Sequence, residues 1–245
     1  MISETLVRSG HALVRPYPPE GRDYWSVRFW DRADAESHHV LGQDFLAQKA
    51  QIAELLSRYG GDARTILEFA CGTGEFTAMA ATLTPATSVV ATDISQHALD
   101  IAASRVKQPQ VRFVRGDFWA DDGQEQADLV MCLDAIHHLG DVRSVLERLR
   151  SLVAPGGVFI GNLWTLDNFH EYQRQRYGAL GHLGRASKFF ATAVAMRVSG
   201  GRLRTPAYRT QLLRQATIGP LLSDVFSETV ELASTRHFTC FACRP

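Results

Sequence analysis

Cysteine is scarce in this sequence. Cys71, Cys132, Cys240 and Cys243 are too few to staple a chain of 245 residues, which excludes a disulfide-held scaffold. Cys240 and Cys243 form a CxxC, but no second pair completes a zinc site. They fall in the strand-like run HFTCFACR, where positions three apart face opposite sides, so two buried thiols and no metal are expected. Net charge is also absent: 26 Lys and Arg balance 26 Asp and Glu, leaving no global field to hold nucleic acid or an anionic membrane. Long apolar runs are missing, and nothing approaches the ~20 residues of a membrane span. Glu4, Arg8 and His11 interrupt Met1 to Arg15, so no signal peptide is read there and a cytoplasmic protein is expected. No internal repeat or low-complexity tract is visible.

What is present is a core. Hydrophobic residues make up 45% of the chain, enough to bury one α/β domain. The first 40 residues hold Pro16, Pro18 and Pro19 with an aromatic cluster of Tyr17, Tyr24, Trp25, Phe29 and Trp30. Apolar residues then recur at helical spacing from Ser37 to Tyr59, stopped by Gly60–Gly61. Beyond them strands and helices alternate. Strand-like runs at 65–69, 88–92, 111–114, 127–133 and 158–163 are separated by helical segments to Leu83, from Ser95 to Val106 and from Asp141 to Leu152. Ala154 to Gly157 reads as a turn before the fifth strand. Repeated β-α-β implies a parallel sheet with ligands at the strands' carboxyl ends. Residues 165–215 break the rhythm as a helical insertion, and a short helix from Gly219 precedes two closing strands joined as an antiparallel hairpin. The expected organisation is one domain: an N-terminal cap (1–60), a cofactor-binding core (64–164), a lid insertion (165–215) and a closing helix with its strand pair (219–245).

The run ILEFACGTGEF, Ile66 to Phe76, carries the strongest signal. A buried strand opens into a loop whose small residues, Ala70, Gly72 and Gly74, let backbone amides approach a ligand. Asp93 ends the next strand, where a carboxylate can accept ribose hydroxyls. That much suits any nucleoside-binding Rossmann fold. Three features turn it from a nicotinamide cofactor: the third glycine of G-x-G-x-x-G is missing, Glu68 in the first strand suits a cationic ligand, and Asp117-Phe118 after the third strand suits adenine.

Glu68-x-x-Cys-Gly-Thr-Gly74, Asp93, Gly116-Asp117-Phe118, the run DLVMCLDAIHHL and LVAPGGVFI stand in family-like order over residues 64–164. In them the chain resembles the class I S-adenosylmethionine-dependent methyltransferases. The resemblance implies a Rossmann-like, mainly parallel seven-stranded α/β sheet with helices on both faces and a reversed last strand. It implies S-adenosylmethionine as cofactor, with Gly72 and Gly74 beside its methionine part, Asp93 and Ile94 at the ribose, and Asp117 with Phe118 at adenine. Leu133 and Asp134 would border the sulfonium and the acceptor.

The acceptor is less legible. His137 and His138 follow the fourth strand, where an imidazole can act as base, and Tyr17 joins them as a catalytic candidate. Trp25, Trp30, Trp164 and Tyr172 are candidate substrate contacts, able to wall a pocket or face a cation. The insertion carries nine basic residues (Arg174, Arg176, Arg185, Lys188, Arg197, Arg202, Arg204, Arg209, Arg214) against Asp167 and Glu171. A solvated lid is preferred to an anion or RNA site, since no RNA-binding module accompanies the patch. The expected function is methyl transfer to nitrogen or oxygen of a small specialised metabolite, such as arises in antibiotic biosynthesis, with nitrogen preferred because an amine needs no base. An RNA or protein methyltransferase, a fold that binds cofactor without transfer, and an NAD-linked oxidoreductase are the rivals. A homo-oligomer through the cap or insertion is compatible with this reading.

Overall fold

The structure, a computed structural model, describes residues 2–13, 42–120, 123, 125–200 and 212–245. The chain runs α1 (Ile2–Leu13), α2 (Gly42–Tyr59), β1 (Thr65–Phe69), α3 (Glu75–Leu83), β2 (Ser88–Asp93), α4 (Gln96–Arg105), β3 (Val111–Arg115) and β4 (Ala127–Cys132). After a 3₁₀ turn at Ile136–His138 come α5 (Val142–Ser151), β5 (Val153–Trp164), α6 (Phe169–Val198), α7 (Gln215–Val225), β6 (Glu228–Ser234) and β7 (Phe238–Arg244). The strands form one seven-stranded sheet in the order β3-β2-β1-β4-β5-β7-β6. β1 to β5 pair in parallel, while β7 is antiparallel to both of its neighbours. The expected sheet, with its reversed last strand, is the one observed.

Both faces are buried, because a parallel sheet needs helices on each side. Ile52, Leu55 and Leu56 of α2 and Ala80 and Ala81 of α3 pack on one face against Ile66, Leu129, Met131 and Ile160. α5 and α7 cover the other, against Leu67, Phe69, Val130 and Phe159. α5 shows how sequence sets this up. Val142, Val145, Leu146 and Leu149 recur at i, i+3, i+4 and i+7 and are all buried, each burial contributing about 1.5–3 kcal/mol. Asp141 caps the helix, accepting from Ser144 N at 3.1 Å. A charge at Leu146, 0% exposed, would undo the stripe. Cys240 and Cys243 lie in the cores of opposite faces, and burial pushes both thiols up to about 12.

Three local features differ from the sequence reading. Ala154–Gly157, expected as a turn, belongs to β5: Ala127 pairs with Val153 and Leu129 with Val158, so these residues form a bulge between two paired stretches of the strand. Gly157 is needed there, since a Cβ would meet Asp128 O at 2.7 Å. α7 begins at Gln215 rather than Gly219, because the Asp167 carboxylate accepts from Gln215 N at 2.7 Å and caps it. α6 breaks at Gly178 (φ 71, ψ 171). His170 and His182 lie on either side with ring nitrogens 3.3 Å apart, although twelve residues of straight helix would separate them by about 18 Å. The chain therefore doubles back at Gly178. α1 packs on α6, with Phe189 at Gly10 and Arg174 paired with Glu4 at 2.9 Å, so N-terminal helix and insertion form one cap.

Candidate active site

The strand order reverses direction between β1 and β4, the switch point at whose carboxyl ends such sheets take their ligands. β1 leaves through Ala70 (φ 54), Gly72 (φ 55) and Gly74 (φ 77), three left-handed residues within five. A side chain at Gly74 would meet Ala102 Cβ at 2.9 Å, so the loop closes against α4 through a position that only glycine fills. β4 leaves through Leu133 and then Asp134, also left-handed at φ 56. Ala70 and Asp134 are the non-glycine residues with positive φ among the described residues, and they follow adjacent strands. Such conformations cost about 1–3 kcal/mol and collect where a ligand is bound.

Asp93 holds the loop to its neighbour. One carboxylate oxygen accepts from Gly72 N at 2.9 Å and the other from Ser95 N at 2.8 Å. Burial pushes its pKa up, while these amides and that of Ile94 pull it down. Glu68 lies beneath the loop, 2% exposed, and burial drives its carboxyl up to about 8. Its partner is the hydroxyl of Thr77, the residue at the position of the missing third glycine. Thr77 is buried there, so the first turn of α3 is tied to β1 rather than left open for a pyrophosphate.

Asp117 Oδ1 accepts from Trp119 N at 3.0 Å, shaping the turn after β3. Phe118 belongs to the core, edge-on to Phe69 at 5.4 Å and under the Arg148 guanidinium. Leu133 is buried beside Met131 and Ile160. The imidazoles of His137 and His138 lie 4.1 Å apart. Burial drives His137 well below the usual histidine range, with a neighbouring imidazole adding to it, and pushes His138 down to about 4. His137 Nδ1 is buried without a hydrogen bond. Both rings are therefore neutral near pH 7, which leaves little basicity for proton abstraction.

Asp134 sits in a network that sequence reasoning missed. Its Oδ1 accepts from Asn162 Nδ2 at 2.7 Å and from Gln48 Nε2 of α2, while its own amide donates to Asn162 Oδ1 at 2.7 Å. Burial raises the Asp134 pKa and these donors lower it. The signal for Gln48 was a polar residue on the apolar stripe of a helix, between Phe45 and Ile52. Trp164 ends β5 with its ring 5.0 Å from Tyr172 and 5.6 Å from Phe238, and its Nε1 is buried without a partner among the described residues. Tyr172 is buried against it and is hydrogen-bonded to Arg176. Tyr17, Trp25 and Trp30 lie outside the described residues. Of the basic insertion, Arg174 is paired with Glu4, and Arg176 and Arg185 stack on Tyr177 at 5.2 and 4.1 Å. Arg202, Arg204 and Arg209 also lie outside the described residues.

A crossed-over sheet of this order, with a left-handed glycine loop at its switch point, defines a Rossmann-like nucleoside-binding domain of the methyltransferase kind. Residues 67–159 match the family model described as a methyltransferase domain. A trans-aconitate 2-methyltransferase of Methylobacterium radiotolerans is 32% identical over 67% of this chain and 62% of its own. A dTDP-4-amino-2,3,4,6-tetradeoxy-D-glucose N,N-dimethyltransferase of Saccharopolyspora spinosa is 30% identical over 57% of each chain. The chain thus spans about three fifths of these relatives' length. The solved complex of DhpI with S-adenosylhomocysteine shares the fold, with a TM-score of 0.60, 21% identity, and 92% of this chain and 95% of that one covered. Residues 67–159 thus match the methyltransferase domain family, on a Rossmann-like fold shared with S-adenosylmethionine-dependent methyltransferases.

Proposed function

We propose that the protein transfers a methyl group from S-adenosylmethionine to nitrogen or oxygen of a small specialised metabolite, and that nitrogen is the preferred acceptor. The observation that carries this is the pairing of two strained residues, Ala70 and Asp134, across the switch point, one opening the glycine loop and the other facing a buried polar network. Ala70, Gly72 and Gly74 would border the methionine part of the cofactor, Asp93 and Ile94 the ribose, Asp117 and Phe118 the adenine, and Leu133 the sulfonium side. Glu68 acts from below, holding α3 to β1. When bound, the cofactor supplies an electrophilic methyl carbon on a sulfonium.

The residues of the chain then have to bring the acceptor in line and keep water out. Orientation of this kind is worth up to ~7–11 kcal/mol of barrier. Trp164, Tyr172 and Phe238 supply an apolar wall for it, and Trp25 and Trp30 are assigned to the same wall. His138 and Tyr17 are assigned to the acceptor's polar contacts, and the depressed pKa of His138 favours a hydrogen-bonding role over proton abstraction. A relative named for methylating an amino sugar nucleotide supports the small-molecule reading, and we assign the protein to specialised, antibiotic-type metabolism. The α6 arginines already engaged with Glu4 and Tyr177 weigh against an RNA-binding lid. Among the described residues no helix is long and apolar enough to cross a membrane, and we assign the protein to the cytoplasm.

The test is calorimetric titration with S-adenosylmethionine, S-adenosylhomocysteine and NAD. One-site binding of the first two and none of the third is expected. Folded protein that binds neither sulfur nucleoside would refute the assignment.

A further inference from the structure

We propose that the free oxygen of the Asp134 carboxylate and the side-chain oxygen of Gln48 form a nitrogen site, so that the methyl acceptor is an amine rather than an alcohol or a carboxylic acid. The proposal rests on the methyltransferase reading above and names its substrate class. Asp134 Oδ1 already takes two side-chain donors, from Gln48 and Asn162, whereas Oδ2 takes none from the described residues. Gln48 is fully buried on α2, yet its Oε1 has no hydrogen-bond partner among the described residues. The amide cannot be turned to relieve it. Turning would set Oε1 against the Asp134 carboxylate, so the carboxylate fixes which amide atom is left over.

Beside the exit of β4 the described residues thus leave two acceptor oxygens, Asp134 Oδ2 and Gln48 Oε1, without a donor. Lys49, next to Gln48, is ion-paired with Glu75 of α3, so its charge is already balanced. A ligand that satisfies both oxygens must bring at least two polar hydrogens. An ammonium brings up to three and a positive charge, an alcohol brings one, and a carboxylate brings none and the wrong sign. One turn before Gln48, Phe45 packs on Phe238 at 5.6 Å, which packs on Trp164 at 5.6 Å. The polar floor therefore adjoins an apolar wall suited to the carbon frame of an amine.

Proton balance follows from the same atoms. A protonated amine gives one proton to Asp134 Oδ2, whose desolvated carboxylate gains by becoming neutral. The nitrogen lone pair so freed forms the C–N bond to the methyl carbon. The electron pair of the breaking S–C bond stays on sulfur as a thioether, and the product leaves as a methylated ammonium. The carboxyl proton then returns to water.

The test reads binding rather than turnover. Protein saturated with S-adenosylhomocysteine is titrated at neutral pH with cyclohexylamine, cyclohexanol and cyclohexanecarboxylate, three probes of one shape. The amine is expected to bind about tenfold or more tightly than the alcohol, with no saturable response to the carboxylate. Asp134→Asn keeps a side chain that tolerates the left-handed backbone. At saturating S-adenosylhomocysteine it should bring amine and alcohol within about twofold of each other. Gln48→Met should move the preference the same way. Equal binding of alcohol or carboxylate, no saturable response to the amine, or an amine preference intact in Asp134→Asn would each overturn the proposal and leave the methyltransferase reading standing. Wild-type protein that fails to bind S-adenosylhomocysteine would overturn that reading instead, and this proposal with it.

Discussion

Glu68 makes the stability of this protein depend on pH in a direction opposite to most carboxylates. Its carboxyl is 2% exposed, accepts the Thr77 hydroxyl, and is raised from an ordinary 4.5 to about 8, first by burial and then by the nearby Asp93. At neutral pH the folded protein holds this proton and the unfolded chain does not, so folding takes a proton up. Stability from this group is full below pH 4.5 and is lost as pH rises towards 8. Each pH step between those values removes about 1.4 kcal/mol, which amounts to about 3 kcal/mol by neutrality and about 5 kcal/mol over the whole interval. Glu68→Gln is neutral at every pH and can still accept from Thr77. The variant should match wild type under acid conditions and exceed it progressively towards pH 8. Urea unfolding at several pH values, with equal denaturant slopes for the two proteins, measures the difference. Stability curves that stay parallel with pH would show that Glu68 is ionised in the fold and would refute the reasoning.

Asp93→Ala removes the acceptor of two loop amides and the ribose partner, and should weaken S-adenosylhomocysteine binding by roughly 1.5–3 kcal/mol in calorimetry; unchanged affinity would take Asp93 out of the site. Gly74→Ala combines φ 77 with a 2.9 Å approach to Ala102 Cβ, so urea unfolding should show a loss of about 1–2 kcal/mol, and a variant as stable as wild type would mean that the loop conformation is not enforced. Because burial holds His138 at about 4 and His137 well below its ordinary range, kcat/KM should show no ionisation near the ordinary 6.5. An ionisation there that vanishes in His138→Asn would restore the imidazole as base.

Where the chain buries a segment on both sides, the sequence alone was enough to place it. Val158 to Leu163 and Ala127 to Leu133 read as strands because a parallel sheet between helices demands unbroken apolar runs, and the glycine loop read as a loop because Gly72 and Gly74 are cheap in left-handed backbone. Features fixed by distant partners did not read. Asp167 starts α7 across 48 residues, and the doubling back at Gly178 depends on α6 meeting itself and α1. The site divides the same way. The place of Asp93 was legible because strand end and loop lie close in sequence, and Phe118 was ambiguous because an aromatic after β3 suits adenine and core alike; it packs on Phe69. Ala70 and Asp134 gave no warning of their backbone, since neither residue type needs positive φ. Gln48 did leave a trace. An amide three residues after Phe45 and four before Ile52 interrupts a stripe that is otherwise apolar, and a fully buried amide demands partners. Sequence could say that a partner was owed. Only the fold, by bringing Asp134 across 86 residues to one half of that amide, shows that the other half has no partner among the described residues.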